Sequence, residues 1–396
     1  MGPCGWSHRG RGGERMSKIG VGMIGCGGIA HYFGNYLKPH TDRIDFRAFC
    51  DVKPEATARF RADFAPDARV YADYRDLVRD PDIDWVLIAS WNCFHKEHAI
   101  AALEAGKDVF CQKPLATTLE DCLAIRDAWR ASGRQFVIGF TLRFSPFYRK
   151  IKELLAGGAI GQIVSMEFNE TLDFNHGGYI MANWRRLRRN AGTHLLEKCC
   201  HDVDLVNWFV ESRARRVASF GGLNFFIAEN AHHVERIGLS PTGVRAYEGW
   251  RDPDAAGAFT ADKDIIDNQV AIIEFENNVR ASFHTNCNSG IPERRMYIMG
   301  TEGALRADVL AATIHLRRIG FDTPLENVWD GGGAGHGHGG GDAIMAEELV
   351  AAMTERVPSC AGLPEGLAAC ITCFAIDEAM DTGRVVDVST YWNHLA

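Results

Sequence analysis

The feature that most constrains this chain is a cluster of small residues at one junction. Residues 18–24 are apolar and β-rich, and they lead directly into Gly25-Cys26-Gly27-Gly28-Ile29-Ala30, after which a helical pattern begins. A strand that passes into a helix through three glycines makes a tight turn and leaves the free amides and positive end of the helix facing outward. The spacing is that of the dinucleotide fingerprint, with Ala30 in the third glycine place. Gly25 serves the turn, Gly27 lets a pyrophosphate approach the backbone, and Gly28 and Ile29 open the helix. Asp51 ends the next predicted strand, where a carboxylate binds both ribose hydroxyls and repels a 2′-phosphate. The cofactor read from the sequence is therefore NAD rather than NADP, although Lys53 lies close enough to tolerate a phosphate. The plainer reading of Asp51 is a strand-end residue that caps a turn.

The rest of the chain supplies a frame for that turn. Residues 46–50, 85–90, 108–111 and 135–139 read as further short strands, separated by helical patterns at 54–64, 94–105 and 119–132. Thr117 and Glu120 suggest a capping box for the last helix. This alternation predicts an α/β chain whose residues 16–140 form a Rossmann parallel sheet. Beyond residue 140 the strands lengthen and alternate, at 163–171, 216–220, 268–275, 281–286 and 295–300. They predict an α+β domain over 141–396 with a large, mainly antiparallel sheet. Residues 231–263 read as an insertion or surface loop, and 331–341 hold eight glycines and two histidines. Two helices, 343–354 and 364–382, close the chain, and residues 1–15 read as a disordered tail.

Composition narrows the partners. A net charge of −8 opposes binding to nucleic acid or an anionic membrane surface. No run of eighteen apolar residues is present, and residues 1–15 lack the apolar stretch of a secretory leader, so a cytoplasmic location is expected. The twelve cysteines are scattered through apolar runs and read as reduced thiols. Cys370 and Cys373 have metal-like spacing without a second pair, so no metal is expected there.

Further segments carry a family resemblance. Ser90-Trp91-Asn92-Cys93-Phe94-His95 resembles a Thr-Pro-Asn-x-x-His turn, with Trp91 in the proline place. Gly106-Lys107-Asp108-Val109, followed by Gln112-Lys113-Pro114-Leu115-Ala116, is similar to a Gly-Lys-x-Val…Glu-Lys-Pro-Leu-Ala block, with Gln112 for the glutamate. In the stretch from Gly192 to Asp204, Glu197 precedes His201 by four residues, where most relatives carry an aspartate before the active-site histidine. Together these resemble the glucose–fructose oxidoreductase / inositol dehydrogenase / MocA family over roughly residues 17–390. The resemblance implies that Lys113 and His201 both touch the reacting hydroxyl, that the Lys113–Pro114 bond is cis, and that the subunit forms a homodimer or homotetramer.

The residue chemistry fits. Lys113 follows a strand and so projects from the carboxyl edge of the sheet, where its ammonium can stabilise an alkoxide. His201, with an ordinary pKa near 6.5, is the first choice for the base that takes the hydroxyl proton. Four-residue spacing puts Glu197 and His201 on one helix face, as an acid–base pair or as a simple i,i+4 pair. Asn92 and His95 stand where a cofactor ribose would lie, or else only cap a turn. Trp184 and Arg185 resemble a segment near the nicotinamide, although the basic run 185–189 can equally face water. His338, in the glycine-rich stretch His336-Gly337-His338 before Asp342, is read as a substrate-loop residue, with a metal site or a linker as the rivals. The leading function is NAD-dependent hydride transfer from a secondary alcohol of a sugar, inositol or glycoside. The alternative is a sugar lyase, glycosidase or epimerase that oxidises transiently without net redox. A dinucleotide-responsive regulator is the non-enzymatic rival.

Overall fold

The computed structural model describes residues 18–250, 254–331 and 338–395. The expectations for residues 1–15 and for His336 lie outside them.

Apart from one edge strand, the short strands of the first domain are largely buried on both faces, as a central parallel sheet requires. In chain order they are β1 (Ile19–Ile24), β2 (Ile44–Cys50), β3 (Arg69–Tyr71), β4 (Trp85–Ile88), β5 (Asp108–Cys111) and β6 (Phe136–Ile138). All pairs are parallel, in the order β3-β2-β1-β4-β5-β6. The connecting helices are α1 (Gly28–Leu37), α2 (Pro54–Phe64), α3 (Tyr74–Arg79), α4 (His95–Glu104) and α5 (Leu119–Ser132). The order reverses between β1 and β4, and ligands of such sheets bind beyond the carboxyl ends of the strands at that point. The sequence pattern misses β3 and α3, because three partly exposed edge residues carry no periodic signal. Lys113 therefore follows the fifth strand rather than the fourth, and Asn92 the fourth rather than the third. The cap of α5 is Thr118, which accepts a hydrogen bond from the Asp121 amide at 3.2 Å; Thr117 lies one residue too early.

The second domain continues with α6 (Pro146–Ala156), β7 (Ile163–Asp173), α7 (Phe174–Ala182), α8 (Arg188–Ala191) and α9 (Cys200–Val210). Then come β8 (Ala214–Gly222), α10 (His232–Ile237), β9 (Asn268–Phe275), β10 (Arg280–Ser289), β11 (Arg295–Gly300), β12 (Gly303–Asp308), β13 (Thr313–Arg318) and β14 (Glu326–Asn327). Last come α11 (Gly341–Glu355), α12 (Leu363–Thr382), β15 (Val386–Asp387) and α13 (Ser389–Trp392). Nine strands form one sheet, β14-β13-β12-β11-β7-β10-β9-β8-β15, antiparallel except where β7 meets β10. Strict alternation along β9 buries Ala271, Ile273 and Phe275 and leaves Val270 and Ile272 on the outer face beside Phe220 of β8.

One hydrophobic core runs from Val21 of β1 through Phe147 of α6 to Trp392, so the two sheets are packed as one body. The closing helices reach back to the first domain: Arg43 pairs with Glu355 of α11 at 2.8 Å, and the Ile138 amide donates to the Ala361 carbonyl. The stretch read as an insertion is more ordered than its polarity suggests. Tyr247 and Phe259 from it are buried with Leu172, Ile180 and Phe226 in a second, smaller core. No helix among the described residues is long and apolar enough to cross a membrane.

Candidate active site

The glycine turn has the geometry its sequence implies. Gly25 sits at φ +85°, and a Cβ there would lie 2.5 Å from the Ser90 amide nitrogen, so glycine is required on two counts. In front of Gly27 and Gly28 a Cβ would meet nothing within 4 Å, which is the open cradle a pyrophosphate needs. No side chain caps the start of α1, and its first-turn amides remain available to an anion. Ala30 is fully buried, while Ile29 is partly exposed at the rim. Asp51 accepts from the Cys26 amide at 2.7 Å through one oxygen and from the Lys53 amide at 2.8 Å through the other. These bonds aim the carboxylate, and each oxygen keeps a lone pair for a ribose hydroxyl. The Lys53 ammonium, which could meet a 2′-phosphate, is paired with Asp254.

Two residues expected at the ribose are held by the protein itself. Asn92 is buried and donates to the Ala191 carbonyl at 2.8 Å. His95 is fully buried, with Nδ1 2.8 Å from the Pro114 carbonyl and Nε2 3.2 Å from the Ser90 carbonyl. Burial lowers its pKa to about 4, so the ring is neutral and donates only once, over the shorter distance to Pro114. The ribose reading of His95 is thereby corrected: the ring braces the turn that carries Lys113. The Lys113–Pro114 bond is cis.

Lys113 ends against a wide helical turn. Leu195–Cys199 form a π-helical turn that runs into α9, a rare geometry that accompanies functional sites. The Lys113 ammonium donates to the Glu197 carbonyl and lies 3.5 Å from the Glu197 carboxylate. The same carboxylate oxygen accepts from Arg185 Nε at 2.8 Å, and Arg185 also donates to the Tyr179 hydroxyl at 3.1 Å. Burial alone would raise the Glu197 pKa, but the ammonium of Lys113 and the guanidinium of Arg185 hold it well below the carboxylate range. Glu197 is thus held as an anion between two cations, Lys113 and Arg185. Arg185 does not face water. Its guanidinium lies 4.4 Å over the Trp184 ring, which stacks on Trp91 at 5.2 Å.

His201, in the first turn of α9, is buried against Phe140, and its Nδ1 has no hydrogen-bond partner among the described residues. Burial first, then the charge of Lys113, then His338, Arg294 and Lys198, press its pKa well below the ordinary value. The expectation of a base with an unshifted pKa is corrected; burial and the surrounding cations hold the imidazole in its neutral form. His338 lies with its ring centre 5.6 Å from that of His201. Asp342 accepts at 3.1 Å from His338 and at 3.0 Å from the Tyr32 hydroxyl on α1, which ties this end of the site to the helix of the glycine turn. Beneath lies a buried ionic layer: Glu170 of β7 faces Lys198 and Arg294, each at 3.3 Å, and Arg294 clasps Asp202. Burial would raise the Glu170 carboxyl, yet Arg294 and then Lys198 bring it down to about 2. Among the described residues no group of three or more His, Cys, Asp or Glu is arranged to hold a metal.

The structure thus brings together Lys113, Glu197, Arg185, His201 and His338. Sequence reading missed Tyr32, Glu170, Lys198 and Arg294. Only Lys198 carried a local signal, its place inside the Glu197 to His201 block; the others meet the site through long-range packing.

Residues 19–140 match the model of an oxidoreductase family with an NAD-binding Rossmann fold, and residues 148–306 match the GFO/IDH/MocA C-terminal domain. Inositol 2-dehydrogenase of Acidothermus cellulolyticus is 35% identical over 205 residues, 52% of this chain and 57% of that one. Inositol 2-dehydrogenase 3 of Saccharopolyspora erythraea is 25% identical over 382 residues, 94% of this chain and 96% of that one. Among solved structures, levoglucosan dehydrogenase in complex with NADH and levoglucosan superposes with a TM-score of 0.76 at 22% identity, covering 94% of this chain and all of the other. That last likeness is one of fold.

Proposed function

Since this chain belongs to the Gfo/Idh/MocA oxidoreductase family and is an NAD-binding enzyme, we propose that it dehydrogenates a secondary alcohol of a sugar, inositol or glycoside. The observation that carries this reading is the meeting of Lys113, Glu197 and His201 at the carboxyl end of the parallel sheet, next to the helix that opens at Gly27. Gly25, Gly27, Gly28, Ile29 and Ala30 cradle the pyrophosphate, and Asp51 takes the ribose. Asn92 and His95 hold the turn below it. Trp184 and Arg185 border the nicotinamide end. When bound, NAD supplies the hydride acceptor.

The protein's own part is proton handling and charge. Glu197 fixes the Lys113 ammonium, which then stabilises negative charge on the substrate oxygen as the hydride departs. The neutral His201 accepts the hydroxyl proton. His338 reaches the same space and contacts the substrate from the glycine-rich side. Relatives named inositol 2-dehydrogenase support the substrate class. A second copy of the chain is proposed to cover Phe220, Val270 and Ile272 on the outer sheet face, giving a dimer or tetramer.

The test is incubation of the purified protein and NAD with myo-inositol, glucose, xylose and methyl glucoside while nicotinamide absorbance is followed. NADH accumulation with one member is expected, and Lys113→Met and His201→Ala should each abolish it. Product formed without NADH accumulation would favour the transient-oxidation alternative instead. Full turnover in either variant would refute the site.

A further inference from the structure

His338 is arranged for more than contact with substrate. Its backbone is fixed rather than loose: Ser145 at the start of α6 donates to the Gly339 carbonyl at 2.8 Å, and the Gly341 amide donates to the His338 carbonyl at 3.0 Å. Gly339 and Gly340 both adopt positive φ, and at Gly339 a Cβ would lie 2.5 Å from the Ser145 hydroxyl. The ring is oriented as well. Its Nδ1 lies 3.1 and 3.2 Å from the two oxygens of Asp342, so Nδ1 carries a hydrogen toward the carboxylate, and in the neutral ring that tautomer leaves the lone pair on Nε2. Asp342 is held in turn by Tyr32, whose hydroxyl also receives a hydrogen bond from Tyr36.

His201 presents the opposite situation. It is buried among the cations Lys113, Arg294 and Lys198, and its Nδ1 has no hydrogen-bond partner among the described residues. A proton delivered to that ring meets three positive neighbours and must leave before another turnover. His338 is the neighbouring group with an anion behind it, its side chain is 30% exposed, and a ring separation of 5.6 Å can be spanned by one water or a small ring rotation.

We propose that His338, polarised by Asp342, is a proton-relay residue that acts through His201. The substrate O–H bond breaks and its proton passes to the His201 ring, while the C–H electron pair leaves with its hydrogen as hydride to NAD. The His201 proton then passes to His338 Nε2, and His338 loses a proton to water, which restores both neutral rings. This relay rests on the dehydrogenase reading above and adds the proton exit. It also places Tyr32, one turn into the cofactor helix, as the residue that keeps Asp342 aimed.

The test compares wild type, His338→Gln and Asp342→Asn on the panel member that wild type oxidises. Loss of the relay lowers kcat about 10- to 100-fold in His338→Gln, and added imidazole restores much of it. The NADH dissociation constant and the melting temperature stay near wild type, and imidazole acts on kcat rather than on KM. The kcat of the variant rises with buffer concentration, because external bases replace the missing ring. The proposal is overturned if His338→Gln keeps kcat within about twofold of wild type across the pH profile, or if imidazole restores nothing. A wild type inert on the whole panel would defeat the dehydrogenase reading. Independently of turnover, histidine NMR of the NADH-bound protein reads the Asp342–His338 polarisation on which the relay depends, and Asp342→Asn must move His338 away from the Nδ1–H tautomer. An unchanged tautomer overturns it.

Discussion

Replacing Glu197 by glutamine removes the one anion shared by Lys113 and Arg185, and the structure sets the size of the effect. At 3.5 Å and 2.8 Å, the two attractions are worth about 5 and about 6 kcal/mol at an effective dielectric of about 20. Against them stands the desolvation of a buried carboxylate, several kcal/mol, which the amide avoids. The amide oxygen still accepts from Arg185, so the net loss falls at the low end for a broken buried pair, about 3 kcal/mol. Urea unfolding followed by tryptophan fluorescence at neutral pH should show that loss as a lower midpoint with an unchanged slope. The sign of the pH dependence follows from the lowered pKa. The Glu197 contribution is full above the ordinary carboxylate value and is lost as pH falls below it toward the folded value. The gap between wild type and variant should therefore narrow in acid. In activity, kcat should fall while the shape of its pH profile is kept, because Glu197 positions charge and transfers no proton. An unchanged urea midpoint, or a pH profile that loses a limb, would refute the reasoning.

Three further outcomes are expected. Gly25→Ala forces a side chain onto a positive φ and against the Ser90 amide, so it should cost about 3 kcal/mol of stability and abolish NADH fluorescence enhancement. Gly27→Val places its side chain in open space, so thermal melting should stay at the wild-type value while NADH affinity drops at least about tenfold, or about 1.4 kcal/mol. His95, buried with a pKa of about 4 against an ordinary 6.5, binds a proton more readily when unfolded; stability should fall by about 3 kcal/mol as pH drops from 6.5 to 4, and His95→Gln should flatten that slope in acid titration.

The elements readable from the chain alone are those whose causes are local. The Gly25 turn, Asp51 at the end of β2, and the helices α2, α5 and α12 were all legible, because backbone freedom, periodicity and strand-end position are written in neighbouring residues. Lys113 and His201 were legible through short motifs, as was their place near the sheet edge. Protonation and partnership were decided only by the tertiary structure. Whether Glu197 is an acid or a fixed anion depends on Arg185 and Lys113, twelve and eighty-four residues away in the chain. Whether His201 holds a proton depends on burial and on cations from three other elements, and whether His95 reaches a ribose depends on the Pro114 carbonyl. A pKa is a sum over everything close in space, and the chain folds distant residues into that space.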